Sequence, residues 1–102
     1  MKDHNYFVYV ITNKSKSVLY TGVTNDLIVR LHQHREDALG NQKHFAGRYS
    51  CYYLLFFERF GNIDQAIARE KQIKGWKRER KIDLISSFNK DWKFLNDTIE
   101  EL

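Results

Sequence analysis

The segment YFVYVITNKSKSVLYTGV, residues 6–23, consists of two apolar runs separated by a short polar stretch. Both runs, 6–12 and 17–23, are rich in β-branched and aromatic residues, which favour strands. The polar NKSK between them predicts a hairpin with a loop of about four residues. In that register Tyr9 lies opposite Tyr20, with both side chains on one face of the sheet. Since apolar residues occupy both faces of the first strand, we expect other elements to cover both sides.

The length and composition of the chain bound its class. The chain has 102 residues, which predicts a single domain over residues 1–102. Hydrophobic residues make up 42% and charged residues 29%, the balance of a globular rather than a disordered chain. There is no apolar run of membrane-spanning length and no signal-peptide layout. A single cysteine, Cys51, excludes an internal disulfide and a cysteine-based zinc site, so a cytoplasmic location is expected.

Helices and one further strand are predicted for the rest of the chain. A helix capped by Thr24 or Asn25 runs to about Asp37, and its Arg30 and His34 lie one turn apart along one edge of the apolar stripe. Apolar spacing and turn residues predict the remaining elements. They are a loop at 39–50, a strand at 51–58, and helices at about 63–76, 78–87 and 91–101.

A carboxylate interrupts the apolar stripe of the helix predicted at 63–76. Apolar residues follow helical spacing on either side of Glu70, which occupies an inward position between them. Burying an unpaired, ionised carboxylate is costly, so Glu70 must be paired, protonated, bound to a metal ion or less buried than its position implies. An ion pair with Arg30, or with Lys74 one turn on, is the structural alternative to a functional role.

Basic residues cluster in KQIKGWKRERK, residues 71–81, where six of the eleven positions are Lys or Arg. The net charge of +4 and the pI near 9.2 also favour an anionic partner. Cations neutralise phosphates and an indole stacks on a base, so this segment is a candidate nucleic-acid contact. A solvated helix end with the tryptophan docked inward is the alternative. The candidate contact residues are Lys71, Lys74, Trp76, Lys77 and Arg78, together with Arg48 and Tyr49, for which a loop anchor is the alternative.

Five polar side chains are predicted at the margins of the core, and together they suit phosphodiester hydrolysis. That reaction needs a proton acceptor for the attacking water, a cation beside the phosphate and an oxygen ligand for a metal ion. One carboxylate without a second acid nearby suits a single, largely hydrated Mg²⁺. The sequence contains no nucleophile-elbow serine, P-loop or dinucleotide fingerprint. The five residues are Tyr9, Tyr20, Arg30, His34 and Glu70.

The order and spacing of these residues resemble the GIY-YIG nuclease superfamily. FVY (7–9) stands where that family has its first motif, and YTG (20–22) stands where it has Tyr-Ile-Gly. In TNDLIVRLHQH (24–34), Arg30 and His34 occupy the positions of the motif arginine and histidine. Each tripeptide alone is weak evidence, whereas their order and spacing are specific.

The resemblance continues to about residue 95. FFERFGNIDQAIAREKQIKGW (56–76) is similar to the segment that carries the metal-binding glutamate, here Glu70. Asn89, in SSFNKDW, is a further candidate because it matches a late asparagine of the family. The chain resembles in particular the small, single-domain branch related to the catalytic module of the excinuclease.

The resemblance implies an α+β fold in which helices flank a three-stranded antiparallel sheet. It implies that Tyr9 takes a proton from the attacking water with the help of Tyr20, and that Arg30 holds the scissile phosphate. It further implies that His34 contacts phosphate or tunes a tyrosine, and that Glu70 coordinates Mg²⁺ or Mn²⁺. A tyrosine has an ordinary pKa of about 10, so a cation or metal-bound water beside it is needed.

These expectations predict a divalent-metal-dependent endonuclease that hydrolyses DNA in repair, recombination or mobile-element turnover. The alternative is a nucleic-acid-binding protein on the same fold without turnover. Two departures favour it: Val23 stands where some members have a lysine, and the appended DNA-binding domain usual in family enzymes is not part of this sequence. A third alternative is a protein that assembles with another protein through YYLLFF (52–57) or FLNDTIEEL (94–102).

Overall fold

A computed structural model describes residues 4–42 and 44–100 of the chain. Its elements, in chain order, are β1 (Tyr6–Thr12), β2 (Leu19–Thr24), α1 (Leu27–Leu39), α2 (Phe45–Arg48), β3 (Tyr53–Phe60), α3 (Ile63–Lys74), α4 (Arg78–Phe88) and a 3₁₀ turn (Asn96–Ile99). The strands form one antiparallel sheet in the order β2-β1-β3, with helices on both faces. The predicted α+β architecture is confirmed. Within the two described ranges, no helix combines the length and apolar character needed to cross a bilayer.

The central strand β1 is buried on both faces. Phe7, Tyr9 and Ile11 pack with α1 and α2 on one face of the sheet. Val8 and Val10 point to the other face, where they pack with α3 and α4. Burying each large apolar side chain stabilises the fold by about 1.5–3 kcal/mol, so the two-sided core depends on β1. The expectation that both sides of this strand are covered is confirmed.

The register of the β1–β2 hairpin differs from the predicted one by two residues. Tyr9 pairs with Gly22 rather than with Tyr20, and Tyr20 pairs with Ile11. The predicted direct pairing of the two tyrosines is therefore wrong. Because side chains alternate with a period of two, a shift of two residues leaves both tyrosines on the same face, as predicted.

The register changes because the hairpin loop takes six residues, 13–18, rather than four. The side-chain oxygen of Asn13 accepts hydrogen bonds from the backbone N–H groups of Ser17 and Val18 at 2.9 and 3.1 Å. The Thr12 hydroxyl donates to the Val18 carbonyl at 2.7 Å. These local bonds keep residues 17 and 18 in the loop, so β2 begins at Leu19.

Gly22 provides the space that the Tyr9 ring occupies. A Cβ atom at position 22 would collide with the phenol end of Tyr9 on the neighbouring strand. Tyr9 is only 1% exposed and is packed on all sides, so its ring has no room to move away. The glycine of YTG is therefore explained by the close approach of a cross-strand tyrosine.

The start of α1 and the loop that follows it differ from the predictions. The N-cap is Asp26 rather than Thr24 or Asn25, and its carboxylate accepts a hydrogen bond from the Val29 N–H group at 3.1 Å. The predicted loop at 39–50 contains the single helical turn α2. Burial of its small residues supports this turn, which is too short to be stable by itself.

The later boundaries are mostly close to the predicted ones, but the C-terminal helix is wrong. β3 begins two residues later than predicted, while α3 and α4 agree to within two residues. Instead of a helix at 91–101, the described part of that segment forms only the 3₁₀ turn; residue 101 lies outside the described residues. The Leu95 N–H group donates to the Leu54 carbonyl at 2.8 Å, and the Asn96 side chain bonds the backbone on either side. Pairing with β3 therefore replaces helical hydrogen bonds.

Replacing Gly22 by alanine is expected to lower the free energy of unfolding by about 1–3 kcal/mol, because the added methyl group overpacks the site of the Tyr9 ring. Chemical denaturation followed by tryptophan fluorescence measures the change. Gly61→Ala is the matched control: a Cβ there meets no atom within 4 Å, so its effect should stay below about 0.5 kcal/mol. Equal stability of the two variants would contradict the packing of Tyr9 over Gly22.

Candidate active site

Side chains from both faces of the sheet meet beside β2. In the described chain, β2 is an edge strand that contacts α3, and the tyrosines of the hairpin face α1 on the other side. Groups from α1 and α3 can therefore reach one another around this edge. The structure brings together all five predicted catalytic residues and adds one lysine. They are Tyr9, Tyr20, Arg30, His34, Glu70 and Lys74.

Tyr9 and His34 form a buried hydrogen-bonded pair. The Tyr9 hydroxyl oxygen lies 2.7 Å from His34 Nε2, and the two rings meet edge to face. Tyr9 is 1% exposed and His34 is 5% exposed. The bond satisfies two polar groups that would be costly to bury alone, and it joins β1 to α1.

Burial keeps both partners of this pair uncharged near neutral pH. It raises the pKa of Tyr9 to about 12, while the nearby Arg30 guanidinium opposes that rise through a hydrogen bond and its positive charge. Burial also lowers the pKa of His34 to about 4, and here the charge of Arg30 acts in the same direction. A neutral imidazole thus faces a protonated phenol.

Tyr20 is half-buried and is more accessible than Tyr9. The edge of the His34 ring packs against it at a centroid distance of 5.6 Å, and Phe45 of α2 stacks on it at 6.1 Å. The Lys74 ammonium lies 5.7 Å from the centre of the Tyr20 ring. The predicted loop gave no signal for Phe45, because the turn that positions it depends on tertiary packing.

Arg30 is half-buried on the same helix edge as His34, as predicted. One of its nitrogens donates to the Gln33 side chain at 3.0 Å. The guanidinium also lines an open depression between α1 and α2, together with Asp37 and His44. A guanidinium has five N–H donors in a planar fork, so this side chain retains donors for a phosphate.

Glu70 forms an ion pair with Lys74 rather than with Arg30, which decides between the two predicted partners. Lys74 Nζ lies 3.5 Å from Glu70 Oε1, one helical turn away. The Glu70 side chain is 16% exposed and that of Lys74 is 47% exposed, so solvent reaches the pair. Glu70 is therefore both partnered and less buried than its position in the apolar stripe implied.

The basic segment after Glu70 is mostly exposed, but its tryptophan is not. Trp76 is half-buried, packs against the core beneath α3 and α4, and has the guanidinium groups of Arg69 and Arg80 over its ring at 5.2 and 4.3 Å. The inward-docked alternative therefore describes Trp76 better than a free stacking platform. The exposed basic residues of the predicted set here are Lys71, Lys77 and Arg78, the last of which donates to the Ser17 carbonyl at 3.0 Å.

Two further predicted residues lie near the site, and one serves the fold. Tyr49 contacts Phe45 at a centroid distance of 4.8 Å, which places it and the preceding Arg48 beside the aromatic group around Tyr20. Both are exposed. Asn89 is buried and far less suited to binding, because its amide donates to the carbonyl groups of Leu55 and Lys93 at 3.1 and 2.8 Å.

Comparison with known proteins agrees with this site. The sequence matches the GIY-YIG catalytic domain family over residues 5–83. A UPF0213 protein of Clostridium perfringens is 40% identical over 81 residues, covering 79% of this chain and 83% of that protein. A UPF0213 protein of Haloquadratum walsbyi is 37% identical over 84 residues, covering 82% of this chain and 89% of that protein.

A solved structure supports the same relationship. The solution NMR structure of a UPF0213 protein from Bacillus halodurans matches with a TM-score of 0.51 and 26% identity, over 95% of this chain and 96% of that one. This chain therefore belongs to the GIY-YIG family. Its relatives are small UPF0213 proteins, and the family indicates a nuclease-like function with nucleic acid as the general class of substrate. The closer link to the catalytic module of the excinuclease stays a prediction.

The stability of the protein should depend on pH through His34. Its pKa of about 4 in the folded state lies below the ordinary 6.5, so the unfolded chain binds more protons between these values. The stabilisation from the neutral imidazole is fully present above pH 6.5 and decreases as pH falls towards 4, by about 2–3 kcal/mol.

Urea denaturation at pH 7 and at pH 4.5 tests this expectation. The loss of unfolding free energy on acidification should be clearly smaller in His34→Gln than in the unmodified protein. His32→Gln, which changes an exposed histidine on the same helix, should keep the full loss. If all three proteins lost the same free energy, His34 would not titrate as its burial requires.

Proposed function

We propose that this protein is a divalent-metal-dependent endonuclease that hydrolyses phosphodiester bonds of DNA. The observation that carries the proposal is the convergence of the hairpin tyrosines with Arg30, His34 and Glu70 at one open edge of the sheet. Together these groups supply the proton acceptor, the cation and the oxygen ligand that the reaction needs. Membership in the GIY-YIG family supports the same reaction class.

Glu70 is the residue that would hold the divalent ion. Within the described residues, no group of three or more His, Cys, Asp or Glu side chains could enclose a metal. A single solvent-accessible carboxylate nevertheless fits Mg²⁺ or Mn²⁺, because such ions keep several waters and accept phosphate oxygens as further ligands. When bound, the ion supplies Lewis-acid stabilisation of charge on the phosphate.

Tyr20 is better placed than Tyr9 to accept the proton of the attacking water. Tyr9 is almost fully buried, is bonded to His34 and has its pKa raised to about 12, all of which oppose direct proton transfer from water. Tyr20 is half-buried, with a lysine ammonium over its ring. We therefore assign the proton acceptor to Tyr20 and assign Tyr9 and His34 to positioning it, which exchanges the tyrosine roles that the resemblance implies.

Arg30 would bind the scissile phosphate with the donors that it does not share with Gln33. Exposed cations extend the anion-binding surface along α3 and α4 and past α2, so a nucleic-acid backbone can be held on both sides of the site. These cations are Lys71, Lys74, Lys77, Arg78 and Arg48, with Tyr49 beside them.

Glu70→Gln and Arg30→Ala are each expected to lower the DNA cleavage rate by at least about a hundredfold, because each removes an interaction with the charged phosphate. Cleavage of single-stranded, nicked and branched DNA is measured with Mg²⁺ and with Mn²⁺. DNA binding should be largely retained in Glu70→Gln.

Glu79→Gln is the control, because Glu79 is an exposed carboxylate at the start of α4, outside the site. It should cut DNA at the unmodified rate. Equal cleavage by all four proteins, purified in the same way, would indicate a contaminating nuclease and refute the proposal.

Lys74→Gln is expected to raise the affinity for Mn²⁺ by about two- to fivefold, because it removes a cation that competes for the Glu70 carboxylate at 3.5 Å. Titration calorimetry without DNA measures the affinity. Lys71→Gln controls for the change in net charge, since Lys71 is an exposed lysine on the same helix. An unchanged or weaker affinity in Lys74→Gln alone would show that Glu70 does not hold the ion.

A non-catalytic nucleic-acid-binding protein is the second candidate. The Glu70–Lys74 ion pair favours it, because a partnered carboxylate needs no metal to be stable. This candidate predicts salt-dependent DNA binding without cleavage and with no effect of Glu70→Gln. The role in repair, recombination or mobile-element turnover and the cytoplasmic location belong to the proposal as predictions.

A further inference from the structure

Three aromatic rings outside the candidate active site form a continuous stack at the start of β3. The centroids of Tyr52 and Tyr53 are 4.4 Å apart with an interplanar angle of 30°. Phe94 stacks on Tyr53 at 4.3 Å and 23°. The two tyrosines are half-buried and Phe94 is 37% exposed, so all three rings reach the surface. We call Tyr52, Tyr53 and Phe94 the aromatic ladder.

Hydrogen bonds from the C-terminal segment hold the aromatic ladder in place. The Asn96 side chain accepts from the Leu54 N–H group at 2.9 Å and donates to the Tyr52 carbonyl at 2.8 Å. The Leu95 N–H group donates to the Leu54 carbonyl at 2.8 Å, and the Tyr53 hydroxyl donates to that of Tyr52 at 3.2 Å. The rings are thus ordered before any ligand arrives, which lowers the entropy cost of stacking on them.

Cations surround the aromatic ladder. Lys16 Nζ lies 5.2 Å from the centre of the Phe94 ring, and Arg35 lines a groove of about 360 Å³ with the three rings. The hydrogen bond with Tyr53 raises the pKa of Tyr52, and the charges of Arg35 and Lys14 oppose that rise, so both cations lie near its phenol. One carboxylate, Asp97, also lines the groove. Three cations against one carboxylate favour an anionic ligand.

We propose that the aromatic ladder binds an unpaired single strand of nucleic acid, whose bases stack on the rings and whose phosphates contact Lys14, Lys16 and Arg35. Every base has a π face, so such stacking tolerates any sequence. A base that stacks on Phe94 displaces the exposed Lys16 side chain and leaves its ammonium for a phosphate. A duplex keeps its bases stacked inside and cannot use the rings in this way.

The position of the aromatic ladder connects it to the candidate active site. Tyr53 pairs with Thr12, which is three residues from Tyr9 along β1, or about 10 Å in an extended strand. Arg35 follows His34 directly on α1. The inference deepens the proposed function, and rests on it in taking nucleic acid as the ligand. It names a substrate with a single-stranded part, such as a flap or a splayed duplex end.

Binding measured in a chelator tests the aromatic ladder without cleavage. Fluorescence anisotropy is recorded for a labelled oligothymidylate, an oligouridylate of the same length and a short DNA duplex. Phe94→Leu and Tyr52→Leu should each weaken oligothymidylate binding by about fivefold or more and leave duplex binding unchanged. Lys16→Gln should flatten the log–log salt dependence of single-strand binding by about 0.7.

Phe88→Leu is the matched control, because Phe88 is 48% exposed and packs against Phe56 and Phe57 instead of the aromatic ladder. It should bind the single strand like the unmodified protein, and unchanged duplex binding shows that each variant is folded. A ladder variant that binds the single strand normally, or that loses duplex binding equally, would overturn the inference. Stronger binding of oligouridylate would identify RNA as the ligand.

The outcome is separate from that of the cleavage experiments. Ladder-dependent binding in a protein that never cuts DNA would overturn the proposed endonuclease and leave the single-strand site standing. Glu70-dependent cleavage with no effect of Phe94→Leu or Tyr52→Leu on single-strand binding would do the reverse.

Discussion

The hydrogen bond between the Tyr9 hydroxyl and His34 Nε2 is the constraint on which the candidate site depends. It crosses from the central strand to α1 inside the core, where neither partner has access to water. Because an unpaired polar group is costly there, the bond fixes the helix relative to the sheet. Arg30, one turn earlier on the same helix edge, and Tyr20, whose ring packs against His34, take their positions from this pair.

The same bond requires Gly22, because the Tyr9 ring crosses the backbone of β2 at that point. β2 is also the edge where groups from the two faces of the sheet meet. A buried central strand cannot host such a site, since its neighbours occupy both edges and both faces. The fold therefore separates two tasks: β1 holds the core together, and the edge strand leaves Tyr20, Glu70 and Lys74 accessible.

Electrostatics at this edge are balanced for an anion and a cation together. Burial and the Arg30 charge keep His34 neutral, so the imidazole adds no positive charge next to the guanidinium. Lys74 neutralises Glu70 in the absence of metal and lies over the Tyr20 ring. Val23 leaves the position after the YTG motif without a cation, and Lys74 brings one to the same tyrosine from a different element.

The sequence by itself determined the α+β class, the hairpin and the identities of the five polar residues at the core margins. Alternation with period two and helical spacing are local properties, so they placed both tyrosines on one face and Arg30 beside His34. Tertiary structure decided the hairpin register, the turn that carries Phe45 and the extended C-terminal segment on β3. It also decided which cation pairs with Glu70 and that Tyr9 is the buried tyrosine. Each of these depends on contacts between residues distant in the chain or on side-chain hydrogen bonds in loops, and neither follows from the periodicity of a single segment.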